Sequence, residues 1–237
     1  MVSDDTFSHW LGLDGLGLLE NVLSHADTLR IAVTSSFGSE SAVLLDLVAQ
    51  VNKATPVIFV DTGRLFAATT DYRDQLADHL GLSNVQTLKA PALLVENTDP
   101  QGTLFETDPD ACCHVRKVMP YAQALSEFEV LIGGRKRHHG DKRSDLKTVE
   151  LSGPHIKVNP LAHFTPTDIQ SAFKNRNLPP HPLVQEGYSS LGCEPCTLKS
   201  CAAGNVRAGR WKGRKKTECG IHFTDNRVYD SLTDSGL

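Results

Sequence analysis

Residues 29–53, LRIAVTSSFGSESAVLLDLVAQVNK, predict the fold of this chain more directly than any other stretch. Residues 29–36 are typical of a short buried strand, and residues 39–53 are typical of an amphipathic helix because apolar residues recur at helical spacing. The small polar link, residues 35–39, presents backbone N–H groups and the positive end of a helix dipole, which favour a phosphate or a sulfate. A plain turn capped by Ser39 is the alternative, since the loop has neither the P-loop nor the dinucleotide-binding glycine pattern.

The same strand-then-helix pattern recurs further along the chain. Residues 55–63 predict a second strand and residues 66–81 a second helix, while residues 84–90 and 128–137 supply two more strand-like runs. Strands that alternate with helices indicate an α/β fold with a doubly wound, mostly parallel, Rossmann-like sheet. In such a fold, ligands bind at the carboxyl ends of the strands.

The pattern changes after about residue 150. In the part of the chain that follows, one helix is clearly predicted, with Thr165 as its cap and Asp168 in its first turn. Beyond Gly187 we expect mostly loops. We therefore expect one domain over 1–237, with a nucleotide-binding core at about 25–185 and a loop-rich C-terminal active-site segment at about 186–237.

Composition excludes the unusual classes of protein. The 237 residues are 40% hydrophobic and 22% charged, and the net charge of −4 does not indicate a nucleic-acid binder. No stretch of about 18 apolar residues predicts a membrane span, and the start MVSDDTFSHW resembles neither a secretory signal nor a transit peptide. We expect a cytoplasmic protein, in which clustered thiols bind a metal or do chemistry.

Four of the six cysteines form a candidate metal site. Cys112 and Cys113 are adjacent, close to a helix start that TDPD caps, and 79 residues later GCEPC supplies Cys193 and Cys196 as a CxxC turn. Four thiolates suit tetrahedral zinc or a 4Fe-4S cluster. The adjacent pair favours the cluster, because its separate iron atoms allow neighbouring cysteines to ligate different ones. Four unrelated buried cysteines are the third interpretation.

A fifth cysteine is a candidate nucleophile. Cys219 lies near the C-terminus beside Lys215, Lys216 and His222. Nearby cations stabilise a thiolate, and an exposed thiolate is nucleophilic. An incidental thiol in the tail is the alternative interpretation.

Six short motifs follow one another along the chain: SSFGSES (35–41), VIFVDTGRLF (57–66), DACCHVRKVMP (110–120), GYSSLGCEPCT (187–197), RAGRW (207–211) and ECGIH (218–222). In this order and spacing they resemble the motifs of the assimilatory adenylyl-sulfate (APS) reductases, which are the iron-sulfur branch of the phosphoadenylyl-sulfate (PAPS) reductase family. The resemblance runs from about residue 30 to residue 222 and implies an adenine-nucleotide alpha-hydrolase-like fold.

The resemblance implies a reaction and its partners. In this family a C-terminal cysteine, here Cys219, attacks the sulfur of APS and expels AMP. Thioredoxin or glutaredoxin then releases sulfite from the S-sulfocysteine. The resemblance also implies a 4Fe-4S cluster that supports catalysis structurally and electrostatically. It leaves open whether the protein forms a homo-oligomer. It implies neither a nucleic-acid partner nor a membrane.

The resemblance assigns the site residues as well. The implied cluster ligands are Cys112, Cys113, Cys193 and Cys196. The implied substrate-binding residues are Ser35, Ser36, Gly38, Ser39, Asp61, Thr62, Gly63, Lys117, Arg135, Arg143, Arg207 and Arg210.

The chain departs from the family in two places. The usual RRDQSPxTR loop appears as RKRHHGDKR at 135–143, and we expect His138 and His139 to be exposed loop residues. The stretch between GRW and ECG is shorter than in many relatives, and Cys201 has no family role. We expect residues 212–216 to form a solvated basic face.

Three other functions are compatible with parts of this sequence. A cluster-bearing reductase that prefers PAPS or accepts both substrates is the nearest. An ATP pyrophosphatase of related fold would need an SGGxDS-type loop, which SSFGSES lacks. A zinc-stabilised nucleotide- or RNA-binding module would use the four cysteines structurally but would leave Cys219 unexplained.

Overall fold

The computed structural model describes residues 4–140, 143–200 and 206–211. Within them, six strands form one sheet in the order β3-β2-β1-β4-β6-β5. All neighbouring strands pair in parallel except β5 with β6. The strands are β1 Ile31–Thr34, β2 Val57–Val60, β3 Val85–Leu88, β4 Val130–Gly133, β5 Val149–Ser152 and β6 His155–Val158.

Helices connect β1 to β2, β2 to β3 and β3 to β4, whereas a 3-10 turn and β5 lie between β4 and β6. A π-helical turn, His114–Val118, joins the seventh helix to the eighth, and 3-10 turns lie at Arg137–His139 and Glu194–Cys196. No helix among the described residues is long and apolar enough to cross a membrane. The helices are α1 Asp4–Trp10, α2 Gly15–Leu23, α3 Ser41–Val51, α4 Ala67–Leu80, α5 Ala92–Thr98, α6 Leu104–Thr107, α7 Pro109–Cys113, α8 Met119–Leu125, α9 Pro166–Asn175 and α10 Pro182–Gln185.

The sheet is covered on both faces, as a doubly wound fold requires. On β1, Val33 packs into the larger apolar cluster with helices α2, α3, α4 and α9. Its neighbour Ala32 points to the opposite face and packs with Tyr121 and Leu125 of α8. The predicted doubly wound, mostly parallel α/β fold is therefore confirmed.

Local signals placed the main elements correctly. Strands β1 to β4 and helices α3 and α4 lie inside the predicted segments. Helix α9 begins with a capping box in which the Thr165 hydroxyl accepts a hydrogen bond from the Asp168 N–H at 3.2 Å. In return, the Asp168 carboxylate accepts a hydrogen bond from the Thr165 N–H at 2.7 Å.

The elements that the sequence did not reveal are short or terminal. They include α1, α2, the β5–β6 hairpin, α5, α6 and α8, whereas the start of α7 was predicted from the TDPD cap. Four consecutive short pieces give no sustained helical period, so the hydrophobic pattern carried no signal there.

The topology places a crevice beside β1. Strand β1 lies between β2 and β4, and the chain runs outward from it in both directions along the sheet. The loops that follow β1 and β4 therefore diverge at the carboxyl edge, which is where open α/β sheets bind ligands.

A buried histidine ties α4 to α10 and makes the fold sensitive to acid. His181 is fully buried, its Nδ1 accepts a hydrogen bond from the Leu183 N–H at 3.2 Å, and its Nε2 lies 3.1 Å from the Thr69 hydroxyl. Because Nδ1 is an acceptor, Nε2 carries the proton and donates a hydrogen bond to the Thr69 hydroxyl. Burial lowers the pKa of His181 from 6.5 to about 4.

We expect this histidine to destabilise the fold as the pH falls. Its pKa is lower in the folded chain, so the unfolded chain binds the extra proton first, and stability is lost from pH 6.5 downward. Between pH 7.5 and 5.5 the loss should be about 1 kcal/mol. The measurement is urea unfolding followed by circular dichroism, with His181→Asn as the control, because asparagine keeps a capping oxygen but does not titrate. An identical pH dependence in both proteins would contradict the assignment.

Candidate functional site

A cavity of about 200 Å³ lies at the carboxyl ends of β1 and β4. Its wall is formed by the loops after these two strands, the end of β6, the π-helical turn and the 190–192 and 206–210 segments. We call it the anion cavity, because seven basic residues line it. These residues are Lys117, Arg135, Lys136, Arg143, Lys157, Arg207 and Arg210.

Most of the predicted substrate-binding residues meet in the anion cavity, although they come from distant parts of the chain. The structure places nine of the twelve in its wall: Ser35, Ser36, Gly38, Ser39, Lys117, Arg135, Arg143, Arg207 and Arg210.

The Gly/Ser loop after β1 is held in place by its own side chains. The Ser35 hydroxyl accepts a hydrogen bond from the Phe37 N–H at 3.2 Å, and the Ser41 hydroxyl accepts one from the Gly38 N–H at 2.9 Å. Phe37 adopts a left-handed φ of 48°, which is strained for a residue with a side chain. Its fully buried ring packs edge-to-face on Phe59 at 5.4 Å, and this burial offsets the strain.

Ser39 does not cap α3, so the expectation that it would cap a plain turn is wrong. Its hydroxyl donates a hydrogen bond to the Ser189 carbonyl at 3.0 Å, and thereby ties the loop to the segment that precedes the CxxC turn. Glu40 occupies the cap position and makes no side-chain hydrogen bond to the helix.

Arg135 is positioned by two neighbours. Its Nε donates a hydrogen bond to Asn159 Oδ1 at 3.1 Å, and its Nη2 pairs with the Glu150 carboxylate. Asn159 is 1% exposed and lines the anion cavity at the end of β6. Sequence reasoning missed Asn159 and Lys157, because β6 was not recognised as a strand whose end reaches the cavity.

The expectation that His138 and His139 are exposed is wrong. His139 lines the anion cavity, its side chain is 12% exposed, and its Nε2 lies 3.0 Å from the Glu40 carboxylate. Arg143 Nη1 donates to its Nδ1 at 3.4 Å, so Nε2 carries the proton. His138 Nδ1 lies 2.8 Å from the Phe164 carbonyl, so it donates there, and its buried Nε2 has no partner among the described residues.

Glu40 is the acceptor at the centre of this cluster. Its Oε2 accepts from His139 and lies 2.8 Å from the buried ammonium of Lys136. Burial alone would raise the pKa of Glu40, but the hydrogen bond from His139 and the charge of Lys136 lower it to about 2. Glu40, His138 and His139 are the only three metal-ligating side chains among the described residues with ligand atoms within 4.8 Å of one another. Because the Glu40 carboxylate is paired with the Lys136 ammonium, we interpret this cluster as an ion-pair network.

The four predicted metal ligands meet in a second cavity, which we call the cysteine cavity. Asp108 caps α7 by accepting hydrogen bonds from the Asp110 and Ala111 N–H groups, and this cap places Cys112 and Cys113 at the helix end. The CxxC turn is closed by a hydrogen bond from the Cys196 N–H to the Cys193 carbonyl at 3.0 Å. The cavity is lined by Cys112, Cys113, Cys193 and Cys196, together with Thr62, Arg64, Phe105, Pro109, Arg116, Lys117, Pro195, Arg210 and Trp211.

The thiols influence one another electrostatically. Burial raises the pKa of the Cys112 thiol, the Arg116 guanidinium opposes this rise, and the neighbouring Cys193 and Cys196 add to it. Ionising all four thiols therefore requires compensating positive charge in the cavity.

The VDTG loop after β2 lies beside the cysteine cavity. The Thr62 hydroxyl is 3.2 Å from the Cys193 sulfur. Asp61 accepts a hydrogen bond from the Gly63 N–H at 2.9 Å and pairs with Lys89 at 3.0 Å. Asp61 and Gly63 do not appear in the wall of either cavity, whereas Thr62 lines the cysteine cavity.

Arg116 lines the cysteine cavity and is held in place by two acceptors. Its Nη2 donates to the buried carboxylate of Asp99 at 2.8 Å, and its Nη1 donates to the Thr62 carbonyl at 3.3 Å. Its Nε is buried and has no partner among the described residues. A buried N–H in this position fits an acceptor group held by the four thiolates.

Two basic residues, Lys117 and Arg210, line both cavities. Lys117 lies on the π-helical turn, which occurs where Pro120 cannot donate an α-helical hydrogen bond to the Arg116 carbonyl. Arg210 donates to the Leu191 carbonyl at 2.6 Å and stacks on the Trp211 ring at 4.3 Å. These two side chains therefore lie between the four cysteines and the anion cavity.

Some predicted residues lie outside the described ones. They are the candidate nucleophile Cys219, the unassigned Cys201 and the basic stretch 212–216.

Comparison with known proteins agrees with this geometry. The family model of the phosphoadenosine phosphosulfate reductase domain matches residues 30–199. A protein from Mesorhizobium japonicum named adenosine 5′-phosphosulfate reductase is 44% identical over 208 residues, which cover 88% of this chain and 81% of the relative. A Bacillus subtilis protein named adenosine 5′-phosphosulfate reductase 2 is 34% identical and matches 92% of this chain and 97% of its own length.

Among solved structures, the phosphoadenylyl-sulfate reductase of Candida auris superposes with a TM-score of 0.66. The match covers 84% of this chain and 98% of that structure at 23% identity. At this identity, the likeness supports the fold.

Proposed function

This chain belongs to the phosphoadenosine phosphosulfate reductase domain family, and we propose that it reduces adenylyl sulfate to sulfite and AMP in assimilatory sulfate reduction and cysteine biosynthesis. The observation that carries the proposal is the pair of adjoining cavities. One is lined by seven basic residues and the other by four cysteines, and Lys117 and Arg210 line both.

The anion cavity suits a nucleotide that carries a phosphosulfate. Backbone and hydroxyl groups of the Gly/Ser loop after β1 lie beside the basic side chains that follow β4. Ser35, Ser36, Gly38, Ser39, Arg135 and Arg143 would bind the substrate there, with Lys117, Arg207 and Arg210 towards the cysteines. A thiolate that approaches an already anionic sulfate needs such cations, which also stabilise the charge that develops on AMP.

The chemistry requires a nucleophile and a dithiol. The Cys219 thiolate attacks the sulfur of adenylyl sulfate, the bond from that sulfur to the bridging oxygen breaks, and AMP leaves with the electron pair. A thioredoxin or glutaredoxin thiolate then attacks the Cys219 sulfur, and sulfite leaves. The second thiol of the reductant closes its disulfide and restores Cys219, so the dithiol supplies both electrons.

We propose a 4Fe-4S cluster at Cys112, Cys113, Cys193 and Cys196. The adjacent pair of Cys112 and Cys113 favours a polynuclear cluster over a single zinc, because its separate iron atoms allow neighbouring cysteines to ligate different ones. When bound, the cluster supplies positive charge and structural support. The residues of this chain do the rest: Thr62 lies against the Cys193 sulfur, and Lys117 faces both cavities.

The remaining organisation follows from this function. We propose one reductase domain over 1–237, with Thr62 of the VDTG loop at the cluster side of the site and Asp61 and Gly63 shaping that loop. We also propose a cytoplasmic location, because clustered cysteines that bind a metal or do chemistry are typical of a reducing compartment. The partners are adenylyl sulfate, AMP and the dithiol reductant.

A labelling experiment tests the proposal. Purified protein is mixed anaerobically, without reductant, with radiolabelled adenylyl sulfate or with its 3′-phosphorylated counterpart. We expect covalent label on the C-terminal peptide that contains Cys219 from adenylyl sulfate alone. Label from the 3′-phosphorylated substrate would instead support a PAPS or dual-substrate reductase. Both substrates intact and no label would refute reduction and favour a nucleotide-binding module.

A further inference from the structure

One carboxylate lies in the wall of the otherwise basic anion cavity. Glu40 is the only acidic residue among the described residues that line it. Glu40 follows β1 at the start of α3, whereas its partners Lys136 and His139 follow β4. The network therefore spans the crevice between the two diverging loops, where this fold binds its ligand.

An ionised carboxylate in this wall is unfavourable for a cavity that only has to bind anions. The Glu40 carboxylate is ionised at any working pH, because its pKa is about 2. It repels anionic ligands, and it also occupies the ammonium of Lys136 at 2.8 Å. The side chain of Lys136 is 3% exposed and that of Glu40 is 19% exposed, so the carboxylate is the more accessible member of the pair.

A carboxylate can select between two forms of a ribose. It accepts hydrogen bonds from free hydroxyls and repels a phosphate at the same position, as in dinucleotide folds, where an acidic residue binds the ribose hydroxyls and a basic residue accommodates the phosphorylated form. We propose that Glu40 is a specificity-determining residue that makes this cavity accept an adenine nucleotide with an unphosphorylated ribose and reject its 3′-phosphorylated counterpart. This inference rests on the proposed function, since it assumes an adenine-nucleotide ligand.

Lys136 and His139 determine what removal of the charge would do. Glu40 accepts hydrogen bonds from both, so Glu40→Gln removes the repulsion and loosens the hold on two hydrogen-bond donors in the cavity wall. An additional phosphate would then meet a cation in place of an anion. Glu40→Gln should therefore shift the binding preference towards the 3′-phosphorylated ligand by more than the loss of repulsion alone would.

The experiment compares two product nucleotides by calorimetry, namely AMP and adenosine 3′,5′-bisphosphate, on the full-length protein. The wild-type protein should prefer AMP. Glu40→Gln should shift the ratio of dissociation constants towards the bisphosphate at least about tenfold. The matched control is Glu129→Gln, which also removes one negative charge. Glu129 precedes β4 at the opposite edge of the sheet and pairs with Arg30 at 3.6 Å, so the wild-type ratio should persist.

A second variant covers the risk that an unpaired buried lysine disturbs the fold. Glu40→Gln combined with Lys136→Gln removes both charges, and its ratio should still shift towards the bisphosphate, by less than in Glu40→Gln. A wild-type ratio in the double variant, or equal binding of both nucleotides to the wild-type protein, would overturn the inference while leaving the reductase proposal intact. If neither nucleotide binds the wild-type protein, the proposed function is contradicted, and this inference with it.

Discussion

Sulfite release from adenylyl sulfate should fall at least about 1,000-fold when Cys219 is replaced by serine. A serine hydroxyl is not ionised near neutral pH, whereas the thiolate form of a cysteine is the nucleophile. The two side chains have nearly the same size, so the loss would report on nucleophilicity. The measurement is reductant-dependent sulfite production under anaerobic conditions.

Three further readouts keep this result specific. Cys219→Ser should retain the visible spectrum and the iron content of the wild-type protein, and its affinity for AMP should stay within about twofold. These properties depend on the two cavities, whose described residues do not include Cys219. Cys201→Ser is the matched control, because it removes a cysteine to which no role is assigned, and it should remain active. Retained turnover in Cys219→Ser would refute its role as the nucleophile.

Replacing Cys193 by serine should bleach the protein. The wild-type protein should be brown, absorb broadly near about 400 nm and carry about four iron atoms per chain. Cys193 accepts the hydrogen bond that closes the CxxC turn and its sulfur lies 3.2 Å from the Thr62 hydroxyl, so its replacement removes one of the four proposed ligands. The measurements are the absorption spectrum and the iron content after anaerobic purification.

The control and the contrary outcomes separate three interpretations. Cys201→Ser should keep both colour and iron. An unchanged spectrum in Cys193→Ser would remove Cys193 from the ligand set. A colourless wild-type protein with one zinc per chain would contradict the cluster and favour the structural zinc module.

Sequence patterns predicted the parts of this protein that depend on neighbours along the chain. The strand-loop-helix unit of β1 and α3, the doubly wound sheet and the cap of α9 by Thr165 are all confirmed. Each rests on periodicity or on hydrogen bonds between residues a few positions apart, and such interactions are encoded locally.

The histidines of the 135–143 loop show where local reasoning fails. A polar, basic stretch is typical of an exposed loop, yet His138 donates to the Phe164 carbonyl and His139 packs between Glu40 and Arg143. The position of His139 depends on the loop after β4 folding against the start of α3, which lies 99 residues earlier, and that of His138 on a contact with Phe164, 26 residues later. No pattern within the loop carries that information.

By itself, the sequence determined the fold class, the family and the identity of most groups in the site, because residue types and short spacings carry that chemistry. Tertiary structure alone decided how these groups are combined. It brought Cys112 and Cys113 to a CxxC turn 79 residues away, placed Lys117 between two cavities and set Glu40 among cations. Such meetings depend on how parallel strands order themselves in a sheet and where their ends converge, and strand order is a property of the whole packed chain.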